Sequence, residues 1–203
     1  MKSDVADKRV GVACLVLFIS QAALVILSWL LSAIRLEGVR SMLSSEGIRW
    51  FFGSFTQVMA SPLLVWLLLL LMASGCVFKS GLPACLLQRP FRPSYRDRIA
   101  LRVSVVFLMI YLLVISLLTL SPHAILLSAS GALFPSAFSR SLIPVIAFGF
   151  CVVGVSFGMM SGHLRSLVDI LSSLSYGIRY GASVIVLYVF LMQFASSLRF
   201  VFG

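Results

Sequence analysis

Acidic side chains are scarce in this chain: Asp and Glu together number six in 203 residues, and all charged residues make up 11%. Soluble domains carry roughly 25%, so these residues cannot furnish a water-facing surface. Histidine occurs twice, at His123 and His163. No HExxH, no GxSxG, no paired carboxylates and no phosphate-binding glycine loop appear. We therefore expect no enzyme, no catalytic residue and no cofactor. Cysteine is limited to Cys14, Cys76, Cys85 and Cys151, without a CxxC. They read as small buried hydrophobes, and their spacing supports neither a disulfide framework nor a metal site.

Apolar residues are plentiful, at 61%. Val58 to Phe78 is a run of 21 residues without a charge. At about 1.5 Å per residue it crosses the ~30 Å hydrocarbon core of a bilayer. Trp50 stands near one end, where an amphipathic ring suits the headgroup level. Lys79, Ser80, Gly81, Leu82 and Pro83 close the other end with a charge and a helix stop. Lipid offers no partner to backbone groups, and the strict alternation of a β-barrel is missing. The expected fold class is an all-α integral membrane protein with about five transmembrane helices, forming a single membrane domain over 1–203.

The spans are placed at about 10–34, 58–78, 103–120, 141–160 and 180–202. The first is too long for a signal peptide and ends in Arg35, so it reads as a retained helix. Glu46 to Gln57, rich in aromatics, reads as an interfacial lead into the second span. Ser121 to Ser139 reads as an uncharged loop. Over 164–178 the apolar residues Leu164, Leu167, Val168, Leu171, Leu174 and Ile178 recur at helical spacing among polar ones, which predicts an amphipathic helix at the cytoplasmic face. Most Lys and Arg fall in the head, the second loop and the fourth loop. That predicts the N-terminus inside and the C-terminus outside.

Three constellations stand out. Gly154, Gly158 and Gly162 recur every fourth residue, which offers a groove for close helix–helix approach, in cis or in trans, unless glycine is simply common there. Lys79, Arg89, Arg92, Arg96, Arg98 and Arg102 form a basic cytoplasmic loop over 79–102. It reads as topogenic charge, with docking of an anionic lipid or a partner protein as the alternative. No recognition fold accompanies the net charge of +10, so no nucleic acid is expected as a partner. The third is the absence of Asp, Glu, Lys and His from the cores of the spans, where such groups would mark ion or substrate pathways. Gln21, Gln57 and Gln193 read as helix–helix hydrogen bonders, and Arg165 with Asp169 as a local ion pair.

Several segments together resemble the aminobenzoyl-glutamate transporter (AbgT) family. Ser44-Ser45-Glu46-Gly47-Ile48-Arg49-Trp50, the apolar run after it and Lys79-Ser80-Gly81-Leu82 resemble that family's second span. Tyr95 to Leu101 is similar to its charged entry into a later span. Leu133-Phe134-Pro135-Ser136, Ile143-Pro144, Gly154, Gly158 and Asp169 follow in the family's order, as does Tyr180 to Gln193-Phe194. The resemblance implies a dimeric bacterial inner-membrane transporter that uses a cation gradient to move aminobenzoyl-glutamate or sulfonamide-like drugs. Such transporters hold cargo with re-entrant hairpins. Between Leu87 and Tyr95 only seven residues stand where the family has a hairpin and further spans, and the sequence ends at Gly203, before the second hairpin. No substrate or coupling residue carries over.

The resulting expectation is a truncated, non-catalytic scaffold or subunit associated with membrane transport. Its partners are the lipid bilayer and a second copy or another membrane protein. The alternative is a minimal or split secondary transporter for aminobenzoyl-glutamate or related small organic anions and drugs.

Overall fold

The computed structural model describes residues 2–34, 38–87, 94–120 and 137–203. Helices run through them in the order α1 (Lys2–Ala33), α2 (Ser45–Gly53), α3 (Phe55–Met59), α4 (Pro62–Lys79), α5 (Leu82–Leu87), α6 (Tyr95–Leu120), α7 (Ala137–Ser161), α8 (Leu167–Tyr180) and α9 (Ala182–Phe202). Among the described residues there is no strand. Five helical stretches among the described residues are long and apolar enough to cross a bilayer: Asp7–Ala33, Pro62–Lys79, Tyr95–Thr119, Ser141–Ser161 and Ala182–Phe202. The chain is an all-α, multi-pass membrane protein.

Helix boundaries depart from the apolar runs where backbone chemistry intervenes. The second span starts at Pro62, not at Val58. Ala60 returns its N–H to Thr56 O at 2.9 Å and Ser61 to Met59 O at 2.8 Å, which turns the chain. Pro62 then opens α4 at a position that needs no amide proton. The aromatic lead is broken at Ser54 into α2 and α3. Ser44 caps α2, accepting from Gly47 N at 3.0 Å. The third span begins at Tyr95, two turns before its apolar run. Arg96, Asp97, Arg98 and Arg102 thus stand on helix α6, because charge limits bilayer depth rather than helicity. Part of the basic loop is the short helix α5, entered through Gly81 at φ +81°. Arg89 and Arg92 lie outside the described residues, as do His123 and most of the loop expected over 121–139.

The described structure divides into two compact units, Met1–Val65 with Gly181–Gly203, and Trp66–Tyr180. In the first, α1 lies along α9. Leu24, Met42 and Val201 form its buried cluster, with Val25, Phe51 and Phe194 against them. Trp50 stacks on Phe200, ring centroids 4.5 Å apart, which ties α2 to the end of α9. In the second unit α6 lies along α7, and Cys85, Ala100 and Phe157 make a buried cluster where α5 meets them.

Candidate functional site

Helix α8 holds the second unit's closest approach. Ser173 and Gly177, four residues apart, are fully buried on one edge of it. Lys79 Nζ donates to Ser172 Oγ at 2.6 Å, and the Cys76 thiol and Ser173 hydroxyl meet at 3.5 Å. A Cβ on Gly75 would overlap Gly177 N and Ser173 O, and a Cβ on Gly177 would overlap Leu71 O. These pairings run in opposite sequence directions, so α8 is antiparallel to α4 and lies along it from the Lys79 end to about its middle. The predicted amphipathic helix is present, and its small-residue edge sets it against a span. Leu167, Val168 and Leu171 remain exposed on another edge.

The three predicted packing glycines do three different jobs. Gly154 sits on the backbone of α4: a Cβ there would stand 3.0 Å from the Cys76 carbonyl carbon and 3.1 Å from Val77 N. This is the close helix–helix approach that a small residue permits, and it is made within the chain. Gly158 is covered by Leu164, whose Cδ1 would be 2.6 Å from an added Cβ. Leu164 reaches it by donating its N–H to Gly158 O at 2.9 Å. Gly162 adopts φ +85° and ends α7, the left-handed stop that glycine supplies best. Gly75 and Gly177, not singled out from sequence, are placed more tightly than Gly154. The legible signal was the small pair Ser173 and Gly177 at four-residue spacing on α8.

Basic residues gather at the same end of this unit. The Arg96 guanidinium lies against Gly162, and the His163 ring lies against Gly81. Arg165 Nε donates to Gly162 O at 3.1 Å. Asp169 does not pair with the Arg165 side chain. Its carboxylate accepts from the backbone N–H groups of Arg165 and Ser166, both at 3.0 Å, while Ser166 Oγ accepts from Asp169 N at 3.2 Å. This reciprocal cap starts α8 and holds the Asp169 carboxyl below its usual range, chiefly through the Arg165 amide. In α5, burial and then the charge of Asp97 push the Cys85 thiol up.

Some polar side chains inside the spans reach neighbouring helices, while Ser28, Ser74, Ser104, Thr119 and Ser156 donate to carbonyls three or four residues back on their own helix. Ser156 Oγ stands 3.3 Å from Ser104 Oγ, but its proton goes to Val152 O at 2.6 Å, as that of Ser104 goes to Ala100 O at 2.8 Å. Tyr111 donates to Val145 O at 2.8 Å. In the first unit Gln21 Nε2 donates to Ser197 Oγ at 2.9 Å, and Ser197 donates on to Gln193 O at 2.8 Å. Gln193 Oε1 and Nε2 and Gln21 Oε1 are buried without a partner. Among the described residues no three His, Cys, Asp or Glu side chains converge as a metal set.

Two cavities flank α7. One, of 370 Å³, lies between α6 and α7 and includes Val77, Leu82, Leu112 and Ile146 in its lining. The other, of 470 Å³, is bounded by Leu69, Met72, Ala147, Cys151, Val155 and Leu174 among others. Both walls are almost wholly hydrocarbon.

No family model, no curated protein and no solved structure matches this chain. What the residues define is thus the class alone: a helical multi-pass membrane protein, some of whose membrane-embedded polar groups join one helix to another.

Proposed function

We propose that this chain is a non-catalytic scaffold or subunit of a bacterial inner-membrane transport system, with its N-terminus in the cytoplasm, allied to the aminobenzoyl-glutamate transporter family through the segments that resemble it. The observation that carries the reading is the use of polar side chains in the spans. Tyr111 with Val145 and Gln21 with Ser197 each join one helix to another. A site for an organic anion needs polar groups converging on a cavity, whereas the two large cavities beside α7 are walled by aliphatic and aromatic side chains. The short stretch between Leu87 and Tyr95 agrees with this, since seven residues are too few for a hairpin that dips into lipid.

A scaffold acts by holding a second copy or another membrane protein. The purified chain is expected to run in mild detergent as a defined homodimer or with a co-purifying membrane protein. Vesicles containing this chain alone are expected to take up no labelled aminobenzoyl-glutamate. Gradient-driven uptake by the chain alone would replace this reading with that of a minimal transporter. A monomer with no co-purifying protein would remove the scaffold role.

A further inference from the structure

Arg98 and Arg102 stand one turn apart on the first turns of α6, and both are exposed. No ion pair holds either of them among the described residues. The same three-and-four ridge continues through Val105 and Met109 to Leu112. Leu112 is part of the wall of the 370 Å³ cavity between α6 and α7. The rise from Arg102 to Leu112 is about 15 Å at 1.5 Å per residue. The other end of the cavity is Leu82 of α5. Leu82 and Leu101 pack on the same Cys85, Ala100 and Phe157 cluster, so the Leu82 end of the cavity lies toward the turns of α6 that carry Arg98 and Arg102.

The cavity is apolar throughout. Tyr111, its one polar lining residue, turns its hydroxyl to the Val145 carbonyl. Leu112, Ile146 and Phe150, all lining residues, are about half exposed, so the cavity opens sideways. For membrane-spanning helices that direction is lipid. An uncompensated basic pair at the water end of a span, with an apolar slot running from it into the bilayer, has the polarity of an amphiphile with an anionic head. Basic sites between membrane helices take acidic lipid headgroups, and a guanidinium fork matches a phosphate bidentately.

We propose that the α6–α7 flank is a binding site for one anionic phospholipid of the phosphatidylglycerol type. The phosphate sits on Arg98 and Arg102, and one acyl chain fills the slot bounded by Leu82, Leu108, Leu112, Ile146 and Val153. The site needs only that the chain lies in a membrane and is independent of the scaffold reading.

The test is native mass spectrometry of the full chain in detergent, with phosphatidylglycerol and phosphatidylcholine of identical acyl chains. Each Arg near an anionic head contributes about a fivefold preference, so the wild type is expected to retain phosphatidylglycerol over phosphatidylcholine about twenty-fivefold. The double substitution Arg98→Gln with Arg102→Gln is expected to level the two lipids. Ile146→Trp, which fills the slot, is expected to lower retention of both. Val106→Trp, on the exposed face of α6 outside the cavity, is expected to change neither. Circular dichroism checks that each variant folds, and Leu112→Phe replaces Ile146→Trp if the latter does not. Equal retention of both lipids by the wild type overturns the proposal. So does a preference that survives loss of both arginines, or a slot-filling variant that behaves like Val106→Trp.

Discussion

Gln21 of α1, near the middle of its span, and Ser197 of α9, nearer the end of its own, are joined by a 2.9 Å hydrogen bond. Ser197 passes its own proton to Gln193 O one turn back. The Gln193 carboxamide beside them is buried with both polar atoms unpaired. One side chain in this trio therefore binds the helices together, and another opposes burial.

Gln193→Leu is expected to stabilise the protein by about 1 kcal/mol, because an unpaired buried polar group costs about 1–3 kcal/mol. Gln21→Leu is expected to be close to neutral, since loss of the interhelical hydrogen bond, about 0.6 kcal/mol on average in a membrane, is offset by removal of its buried, unpartnered Oε1. Reversible unfolding in mixed micelles with increasing dodecyl sulfate measures both. A Gln193→Leu variant clearly less stable than wild type would mean the carboxamide has a partner in the membrane.

The contact of Gly75 with Gly177 leaves no room for a methyl group, since the neighbouring atoms are backbone. Gly75→Ala and Gly177→Ala should each destabilise by about 3 kcal/mol, the upper end for overpacking. Gly11→Ala is the control. Nothing lies within 4 Å of its Cβ position, and alanine in an open helical site should gain about 0.5–1 kcal/mol. Midpoints from the same unfolding titration rank the three.

At Gly162 the obstacle is conformation as well as space. With φ +85°, Gly162→Ala should cost about 1–2 kcal/mol, the penalty for a left-handed residue bearing a Cβ. Gly162→Asn should cost less, since asparagine tolerates that region. Gly158→Leu should instead expel Leu164 from α7 and lower helix content, seen by circular dichroism in detergent. A change in oligomer size with the fold intact would show that Gly158 faces another molecule.

Acid should loosen the start of α8. The carboxyl of Asp169 is depressed when folded, so its cap contributes fully above the ordinary carboxylate pKa of 3.8. That contribution is lost as pH falls through the lower, folded value. Hydrogen exchange at the Arg165 and Ser166 amides should stay slow down to that range and then rise. Asp169→Asn should exchange fast at both ends of the titration.

Much of the architecture was readable from composition along the chain. Spans one, four and five match the apolar runs to within a few residues, because helices in lipid need length and hydrophobicity and little else. The misplaced starts, at Pro62 and Tyr95, have separate causes. A proline reset one helix, and a charged segment stayed helical beyond the apolar run. The glycine series on α7 was visible as a series, yet its members meet a backbone, a leucine and a turn, which spacing alone does not distinguish.

What the linear order of residues determined by itself is membrane residence, because an uncharged run either covers the bilayer's thickness or does not, and that is a local property. Tertiary structure alone decided which residues meet: Gly75 with Gly177, Gln21 with Ser197, and Tyr111 with the Val145 carbonyl. Helices that are apolar on every side carry no stripe to announce their buried face. Their rotation and height are set by where backbones can approach and hydrogen bonds can close, between positions far apart in the chain.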